Sequence, residues 1–260
     1  PVVCRIIHNI YGGRMALYTI ADLHLSLGVG KEKSMEVFGR RWQGYTEKLE
    51  RNWRAIVEPE DSVIIPGDIS WALGIDEALD DLLFIDSLPG TKYIGKGNHD
   101  FWWSTRKKLE DFFAAHGITS IRILYNCAYE VEDYIICGTR GWFYDDTLSG
   151  IPEGTDFDKL VNREAQRLKL SLDAAKALQT ACGKPILCFL HFPPVWNGTA
   201  CEPFVALLHE YGIEKCYFGH IHGAYDAPPC FDYEGVHFAI IAADYLNFIP
   251  RVIFPPEVEV

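Results

Sequence analysis

The feature that most constrains the fold is a set of polar clusters, each of which directly follows a short apolar run typical of a β-strand. Five clusters share this placement: Asp22-Leu23-His24, Gly67-Asp68, Gly97-Asn98-His99-Asp100, His191 and Gly219-His220-Ile221-His222. In open α/β sheets, ligands gather outside the carboxyl ends of the strands. Loops at that edge hold their side chains on a rigid base. The pattern therefore predicts an α/β fold whose strand-end loops form one functional site.

The apolar patterns between these clusters predict the surrounding strands and helices. Strand-like runs occur at residues 15–21, 62–66, 92–95, 121–125, 134–138, 185–190, 214–218, 236–242 and 251–254. Helices are predicted over residues 160–181 and, with Asp76 and Ser104 as N-caps, up to Ser87 and His116. The early β-α-β-α-β order and the strand-rich tail favour a mixed two-layered sheet with helices outside it. Because the chain has no internal repeat, low-complexity tract or linker, we expect residues 15–260 to form a single domain.

A stripe of large apolar side chains early in the chain has helical spacing. Its members recur at steps of three or four: Met35, Phe38, Trp42, Tyr45, Leu49, Trp53 and Ile56. This spacing predicts one long amphipathic helix over residues 35–56, whose aromatic face packs in the core and does not bind a cofactor.

The first 14 residues carry neither a clear period nor a helix cap, whereas the strand pattern begins at Met15. We interpret Met15 as the natural start of the protein. Residues 1–14 are then a non-native or unstructured N-terminal extension, which comes from an upstream start or from cloning. The alternative interpretation is that residues 2–7 form a genuine edge strand.

The composition argues against several classes of protein. The chain of 260 residues has 24 Lys+Arg against 36 Asp+Glu and a formal net charge of −12, whereas nucleic-acid binding by counterion release needs a basic face. No apolar run approaches the roughly 20 residues that span a bilayer. The eight cysteines form no CxxC pair, and no secretory signal is visible. We expect a cytoplasmic protein with reduced thiols and no membrane association, and no pattern defines an oligomeric state.

The residue types in the clusters are those of a site for divalent metal ions. Carboxylate, imidazole and amide oxygen ligands suit Mn, Fe, Zn or Ni. A lone Asp-x-His or Gly-Asp is most often a helix or turn cap, whereas Gly97-Asn98-His99-Asp100 rarely arises by chance. The complete ordered set at strand ends therefore favours a metal site over a purely structural role.

The ordered set of clusters resembles the motifs of the calcineurin-like metallophosphoesterase superfamily over residues 22–222, with no departure at a metal-ligand position. The resemblance implies a four-layered α/β/β/α sandwich of two mixed sheets flanked by helices. It also implies two divalent metal ions at the strand ends and a small phosphorylated substrate. The implied activity is that of a hydrolase, which cleaves a phosphomonoester or a phosphodiester by in-line attack of a hydroxide bridging the two metals.

The resemblance also assigns a role to each cluster residue. Seven residues are implied as metal ligands: Asp22, His24 and His222 for one ion, Asn98, His191 and His220 for the other, and Asp68 as a bridge between the two. His99 would be the catalytic imidazole, and Asp100 would orient its ring. Two alternative functions stay open, namely a non-catalytic scaffold with this fold and a nuclease of the same superfamily.

Three features near the clusters each have more than one interpretation. Arg140 follows a predicted strand and either binds a substrate phosphate or is a surface arginine. Trp71, Trp102 and Trp103 flank two clusters and either wall the substrate pocket or pack in the ordinary way. The loop at residues 141–157 is the longest stretch without a predicted element, and we expect it to contribute to substrate specificity.

Overall fold

The computed structural model of the protein describes residues 15–29, 34–142 and 156–255. Six strands precede the long loop: β1 (Leu17–Thr19), β2 (Ser62–Pro66), β3 (Thr91–Gly95), β4 (Ile121–Ile123), β5 (Cys127–Val131) and β6 (Tyr134–Thr139). Seven follow it: β7 (Ile186–Leu190), β8 (Val195–Trp196), β9 (Thr199–Ala200), β10 (Lys215–Phe218), β11 (Cys230–Tyr233), β12 (Val236–Ile240) and β13 (Arg251–Ile253). The α-helices of the described ranges are α1 (Tyr45–Ile56), α2 (Leu79–Ser87), α3 (Arg106–Ala115), α4 (Phe157–Cys182) and α5 (Glu202–Glu210). The predicted extension at residues 1–14, its alternative strand at 2–7 and residues 143–155 of the predicted loop lie outside the described residues.

The strands form two large mixed sheets whose central strands are parallel. The first sheet has the order β13-β1-β2-β3-β4, in which β13 runs antiparallel to β1 and the other pairs are parallel. The second sheet has the order β11-β12-β10-β7-β6-β5, and its outer pairs β11–β12 and β6–β5 are antiparallel. Parallel neighbours need crossover connections, and helices provide several of these. The C-terminal part of the chain supplies an edge strand to each sheet, β13 to the first and β11 to the second.

Alternating side chains along the central strands pack into different cores. In β2, Val63 and Ile65 pack with helices α1, α2 and α3, whereas Ile64 lies in the layer between the two sheets. In β7, Cys188 packs with α4 and α5, whereas Phe189 lies in the same inner layer. A period of two with both faces apolar is typical of strands covered on both sides. Helices, two sheets and helices thus make a four-layered α/β/β/α sandwich, which confirms the predicted fold class.

The two sheets meet at the carboxyl ends of their central strands. Just beyond β1 and β12, the N–H of Ala21 donates to the carbonyl of Ile241 at 2.7 Å. The N–H of Ala243 in turn donates to the carbonyl of Ala21 at 2.8 Å. Because the sheets are joined at this edge, side chains that follow β1, β2 and β3 face those that follow β7 and β10.

The prediction of one helix over residues 35–56 is wrong in its first part. Two short 3₁₀ turns, Met35–Phe38 and Arg40–Trp42, precede α1. The helical conformation is interrupted at Gly39, whose φ of 114° lies outside the helical range and is readily adopted by glycine. Six of the seven stripe side chains are buried as expected, whereas Phe38 is 68% exposed. Gly44, with a φ of 57°, separates the second turn from α1. The apolar spacing therefore identified the buried face but not the interruptions at these two glycines.

Helix starts differ from the prediction where the sequence offers several capping residues. Helix α2 begins at Leu79 and not directly after Asp76. Helix α3 has Thr105 as its N-cap in place of Ser104, and the Thr105 hydroxyl accepts a hydrogen bond from the N–H of Lys108. Helix α5, strands β5 and β11 and the hairpin β8–β9 were not predicted.

Two expectations from composition can be compared with the structure. Among the described residues, no helix combines the length and the apolarity needed to cross a bilayer. The seven cysteines within the described ranges are free. Cys137, Cys188 and Cys216 are buried in neighbouring strands of the second sheet, where they pack as small apolar side chains.

Candidate metal centre

The predicted cluster residues meet at the edge where the two sheets join. They come from five loops: Asp22 and His24 after β1, Asp68 after β2, Asn98, His99 and Asp100 after β3, His191 after β7, and His220 and His222 after β10. The side chains of Asp22, His24, Asp68 and His191 are at most 2% exposed. Residues that are far apart in the chain therefore form one buried group of nitrogen and oxygen donors.

The first group of facing donors consists of Asp22, His24 and His222. His24 Nε2 lies 3.1 Å from His222 Nε2, which lies 3.9 Å from Asp22 Oδ1. The Nδ1–H of His222 donates to Asp244 Oδ1 at 2.9 Å, and this tautomer leaves a lone pair on Nε2. Two ligands that each lie about 2.1 Å from one cation, at a right angle, are about 3 Å apart. The separation of the two imidazole nitrogens therefore fits a shared cation.

The second group of facing donors consists of Asn98, His191 and His220. Asn98 Oδ1 lies 2.6 Å from His191 Nε2 and 3.0 Å from His220 Nδ1. One amide oxygen and two imidazole nitrogens form a mixed donor set of the kind that borderline divalent metals accept. These are the residues that the motifs predict for a second ion.

The carboxylate of Asp68 lies between the two groups. Its Oδ2 is 3.5 Å from His24 Nε2 in the first group and 3.6 Å from His191 Nε2 in the second. This oxygen is buried and has no hydrogen-bond partner among the described residues. Since an unpaired buried carboxylate oxygen is costly, its position calls for positive charge on both sides.

The pKa values of the buried donors shift in opposite directions. Burial raises the pKa of Asp22 to about 7 and raises the pKa of Asp68 well above its usual value. Burial lowers the pKa of His220 to about 3 and lowers the pKa values of His24 and His191 well below the ordinary value. Neutral imidazoles are the protonation state that ligates metals, and bound cations stabilise ionised carboxylates beside them. The residues present therefore fit divalent metal ions.

Two glycines of the clusters allow the ligand loops to approach one another. A Cβ at Gly97 would lie 2.0 Å from Asp68 Oδ1. A Cβ at Gly219 would lie 2.3 Å from Asp22 Oδ2. In both cases the carboxylate of a ligand occupies the space that a side chain would need, so only glycine fits.

The backbone at the ligands is held in an unusual conformation. Four non-glycine cluster residues have positive φ: Asp22 at 60°, His24 at 46°, Asp68 at 51° and His220 at 67°. Such residues cost of order 1–3 kcal/mol each and persist only where the surroundings fix them. Here the N–H of His220 donates to Asp22 Oδ2 at 2.9 Å, and the N–H of His24 donates to the carbonyl of Asp68 at 2.9 Å. The strained loops therefore fix one another across the site.

Asp100 joins the β2 and β3 loops through their backbone. Its buried carboxylate accepts five hydrogen bonds, from the N–H groups of Asp68, Ile69, Ser70 and Gly97 and from the indole of Trp102. Within the described residues it makes no hydrogen bond with the ring of His99, whose orientation the resemblance assigned to it. The contacts of Asp100 instead fix the loop that carries the central carboxylate, Asp68.

His99 lies in the wall of a cavity beside the first donor group. This cavity of about 460 Å³, which we call the aromatic pocket, is lined by His24, Met35, Phe38, Trp42, Trp71, His99, His222, Gly223 and Tyr225. The ring of His99 is half-buried, with its centroid 4.4 Å from that of Trp71. The backbone N–H of His99 donates to Asp68 Oδ1 at 2.8 Å. Burial and the charge of the nearby His222 lower the pKa of His99.

Asp244 contacts the candidate centre, and the sequence analysis did not single it out. It follows β12, is fully buried, and accepts hydrogen bonds from His222 Nδ1 at 2.9 Å and from the Tyr225 hydroxyl at 3.1 Å. Although burial lowers the pKa of His222, the hydrogen bond and charge of Asp244 raise it overall. The only signal in the sequence was that Asp244 is a charged residue shortly after a strand, in the most apolar stretch of the chain.

The remaining candidates separate into different roles. Trp71 walls the aromatic pocket, whereas Trp102 is 2% exposed and packs in the core between the first sheet and its helices. Trp103 and Arg140 line a second cavity, beside the loops of the second donor group. Arg140 is not an ordinary surface arginine, because its Nη2 lies 2.8 Å from the buried carboxylate of Glu164.

A donor cluster of this kind, at the joined edge of two mixed sheets, defines a metal-dependent hydrolase class, the metallophosphoesterases. The model of the calcineurin-like phosphoesterase family matches residues 15–224, and the chain therefore belongs to that family. No curated protein sequence matches the chain.

Two solved structures share the fold at low sequence identity. The phosphopantetheinyl hydrolase PptH from Mycobacterium tuberculosis aligns with a TM-score of 0.54 and 16% identity, over 96% of this chain and 99% of that one. The protein TT1561 of Thermus thermophilus aligns with a TM-score of 0.53 and 11% identity, over 89% of this chain and 91% of that one. At these identities the likeness concerns the fold alone.

Proposed function

We propose that the protein hydrolyses small phosphate esters, monoesters or diesters, with two divalent cations held by the seven ligand residues. The position of Asp68 Oδ2 carries the proposal, because it lies within 3.6 Å of a ligand nitrogen from each donor group. Two neighbouring cations repel one another, and a shared carboxylate oxygen offsets that repulsion. When bound, cations such as Mn, Fe, Zn or Ni lower the pKa of a water that attacks phosphorus and neutralise the phosphoryl oxygens.

The protein itself contributes a proton donor for the leaving group. The ring of His99 stands in the wall of the aromatic pocket and makes no hydrogen bond with another described residue. An ester whose alcohol occupies this pocket places its bridging oxygen beside the imidazole. His99 then donates the proton that the departing alkoxide requires, as a positioned general acid.

The aromatic pocket indicates which kind of alcohol leaves. Apart from the imidazoles and Gly223, its walls are apolar or aromatic, with Trp71 and Tyr225 on opposite loops. Pockets of this size and character bind organic groups by excluding water, with a few polar atoms fixing the orientation. We therefore propose a leaving alcohol with an apolar or planar portion.

The alternatives are a scaffold without activity and a nuclease. A scaffold has no need of intact ligands, whereas here all seven ligand residues converge on one another. A nuclease needs a basic face for the nucleic-acid backbone, whereas the chain has a net charge of −12. A short single-stranded oligonucleotide belongs in the assay, and we expect no cleavage of it.

Asp68→Asn tests the function directly. It keeps the shape of the side chain but removes the charge that both cations share. We expect metal content to fall by at least one ion per chain and hydrolysis of nitrophenyl phosphate and bis-nitrophenyl phosphate to fall to background. Metal content is measured by mass spectrometry of the dialysed protein.

Asp61→Asn is the matched control for this test. Asp61 is equally buried but lies at the opposite end of β2, where its Oδ1 accepts the N–H of Ala16 at 2.7 Å. This variant loses stability yet keeps its metals and its activity. Full activity of metal-free Asp68→Asn protein would show that the reaction does not use this centre.

A further inference from the structure

A second cavity lies beside the loops of the second donor group, whereas the aromatic pocket is lined by residues of the first. It has a volume of about 540 Å³ and opens at the same edge of the sheets, between the ends of β3 and β6. Lys96, in its wall, stands two residues before the ligand Asn98. The carbonyl of Arg140, also in the wall, accepts the N–H of His191 at 3.1 Å. The cavity is therefore continuous in structure with the loops that carry the second donor group.

This cavity concentrates positive charge in an otherwise acidic protein. Four cations line it, namely Lys96, Arg106, Arg140 and Arg167, and we call it the basic cavity. Its described lining contains no acidic side chain. The chain as a whole has a net charge of −12, so this concentration is not a consequence of composition. A local cluster of like charges costs free energy, which an anionic ligand recovers.

The carboxylate nearest to this cluster does not neutralise it. Glu164 is fully buried, and its Oε1 accepts from Arg140 at 2.8 Å, from Arg167 at 2.6 Å and from Arg163 at 3.3 Å. Of these three guanidinium groups only Arg140 and Arg167 line the cavity, and together with Glu164 they keep an excess of one positive charge. Arg106 pairs with the exposed Glu110 at 2.7 Å. Lys96 adds a further charge, and it forms no ion pair within the described ranges of the chain.

Two polar groups at the cavity also have unused hydrogen-bonding capacity. Arg140 Nε is buried and has no hydrogen-bond partner among residues 15–29, 34–142 and 156–255. Arg106 is the first residue of α3, a helix of ten residues whose N-terminus lies at the cavity wall. Guanidinium forks and helix N-termini both favour phosphate, which accepts several hydrogen bonds and carries up to two negative charges.

We infer that the basic cavity binds a second phosphate group of the substrate, so that the protein acts on bisphosphorylated small molecules. The inference rests on the proposed function and deepens it. One phosphate lies at the metals and is cleaved, whereas the other is held by Lys96, Arg106, Arg140 and Arg167 and is not. In such a substrate the alcohol that leaves also carries the uncleaved phosphate, so its chain runs from the metals to the basic cavity. The aromatic pocket then takes the apolar alcohol of esters with a single phosphate.

The first experiment measures preference for a second phosphate. Alkanediol bisphosphates of increasing methylene number are compared with alkyl monophosphates of the same length, at low ionic strength. We expect kcat/KM for one spacer length to exceed that of its monophosphate by about tenfold or more, which corresponds to about 1.4 kcal/mol. Ratios near one at every spacer length would overturn the inference.

Lys96→Gln tests whether the basic cavity causes the preference for bisphosphates. The substitution removes a cation that no described residue pairs with, so no buried carboxylate is left alone. We expect the ratio of bisphosphate to monophosphate kcat/KM to fall towards one. Lys108→Gln, on the exposed face of α3, removes the same charge outside the cavity and leaves the ratio unchanged. An equal fall in both variants would mean that only overall charge matters and would overturn the assignment.

A binding measurement separates this inference from the proposed function. Calorimetry on the chelator-treated wild-type protein measures the affinity for a bisphosphate and for inorganic phosphate without turnover. We expect both to bind, and Lys96→Gln and Arg106→Gln to weaken binding about fivefold or more. The Arg106 variant keeps the test valid if the Lys96 variant fails to fold.

The combined outcomes distinguish the two proposals. Lys96-dependent bisphosphate binding without hydrolysis of any ester would remove the proposed function and retain the phosphate site. Binding of inorganic phosphate with no preference for any bisphosphate substrate would overturn the assignment to substrate, since the cavity would then serve free phosphate. Absence of both binding and preference would overturn the inference completely.

Discussion

The two cavities beside the candidate metal centre, which we call its flanks, both lie at loops that follow strands, but they have opposite chemistry. The aromatic pocket lies beside the ends of β1 and β10, and its walls are mostly apolar rings. The basic cavity lies beside the ends of β3 and β6, and four cations line it. Each flank borders one donor group, and Asp68 lies between the groups. In the proposed function, the centre thus joins a pocket that selects substrates by excluding water to a cavity that selects them by charge.

This difference indicates how the proposed catalysis and specificity are divided. The predicted metal ligands all lie within a few residues of a strand end, so the sheets fix their positions. Part of each flank comes from segments further from the strands, namely the 3₁₀ turn Met35–Phe38 on one side and α4, with Arg167, on the other. Substitutions in the centre should therefore lower kcat/KM for every ester, whereas substitutions in a flank should lower it for one class of ester.

Gly97→Ala should have the largest effect, because it displaces the centre on which both flanks depend and so lowers activity toward both classes of substrate. The added Cβ would lie 2.0 Å from Asp68 Oδ1 and 2.4 Å from the Asp68 backbone nitrogen, so the central carboxylate must move. We expect kcat/KM to fall more than about a hundredfold for every ester, since misplacement by 1 Å is enough for that loss. Steady-state kinetics on both substrate classes measure it. Gly74→Ala, where no atom lies within 4 Å of the new Cβ, is the control.

Asp244→Asn should weaken one metal more than the other. Asp244 contacts His222 and Tyr225, both beside the aromatic pocket, and it does not contact the second donor group. Loss of its charge should lower affinity for one ion roughly 30-fold, within the range known for carboxylates that support metal-ligating histidines. Metal titration with a chelator should show two unequal steps. Asp232→Asn, which removes a similar contact to the exposed His237 at 2.8 Å, should leave both affinities unchanged.

Trp71→Ala should act on the aromatic flank alone. Its indole stacks on His24 with ring centroids 5.0 Å apart and forms a wall of the pocket. We expect kcat/KM for esters of long or aromatic alcohols to fall about tenfold, while esters of methanol change little. A series of leaving alcohols measures this dependence. Trp103→Ala in the basic cavity should leave the dependence on alcohol length intact, and an equal loss in both variants would contradict the division into two flanks.

Ionic strength should have the smallest effect and should act on the basic flank. Raising it from roughly 20 mM to roughly 200 mM shortens the Debye length about threefold and screens the cations of the basic cavity. KM for a bisphosphate should rise about threefold more than KM for a monophosphate of an apolar alcohol. Sodium chloride titrations at fixed metal concentration measure the two constants. A parallel rise for both substrates would indicate screening of the metal centre itself.

The convergence of the cluster residues was predictable from the sequence because these residues are tied to local patterns. Each predicted ligand lies one to five residues after a strand, and strand ends in parallel sheets share one edge. Asp244 obeys the same rule, but it is a single acidic residue without a neighbouring histidine, so nothing in its own segment indicated a metal site. The contacts of Asp100 were not predictable for another reason, because its backbone partners on the β2 loop become visible only in three dimensions.

The flanks were not predictable, since tertiary contacts define them. Phe38 has the helical spacing of a core residue, yet the break at Gly39 turns it into an exposed wall of the aromatic pocket. Arg140 and Arg167 are 27 positions apart, and buried Glu164 brings them together. No periodic pattern in the sequence indicates that one carboxylate positions these guanidinium groups.

The contact between the His220 N–H and Asp22 joins positions 198 residues apart, and this has a consequence for how the protein is made. At about 5–20 residues per second, a ribosome needs roughly 10 to 40 seconds to translate the interval. During that time the nascent chain presents Asp22, His24 and Asp68 without the histidines of the second sheet. The loading of the proposed metals is therefore expected late in biosynthesis, when the second sheet docks, and it would stabilise the completed fold.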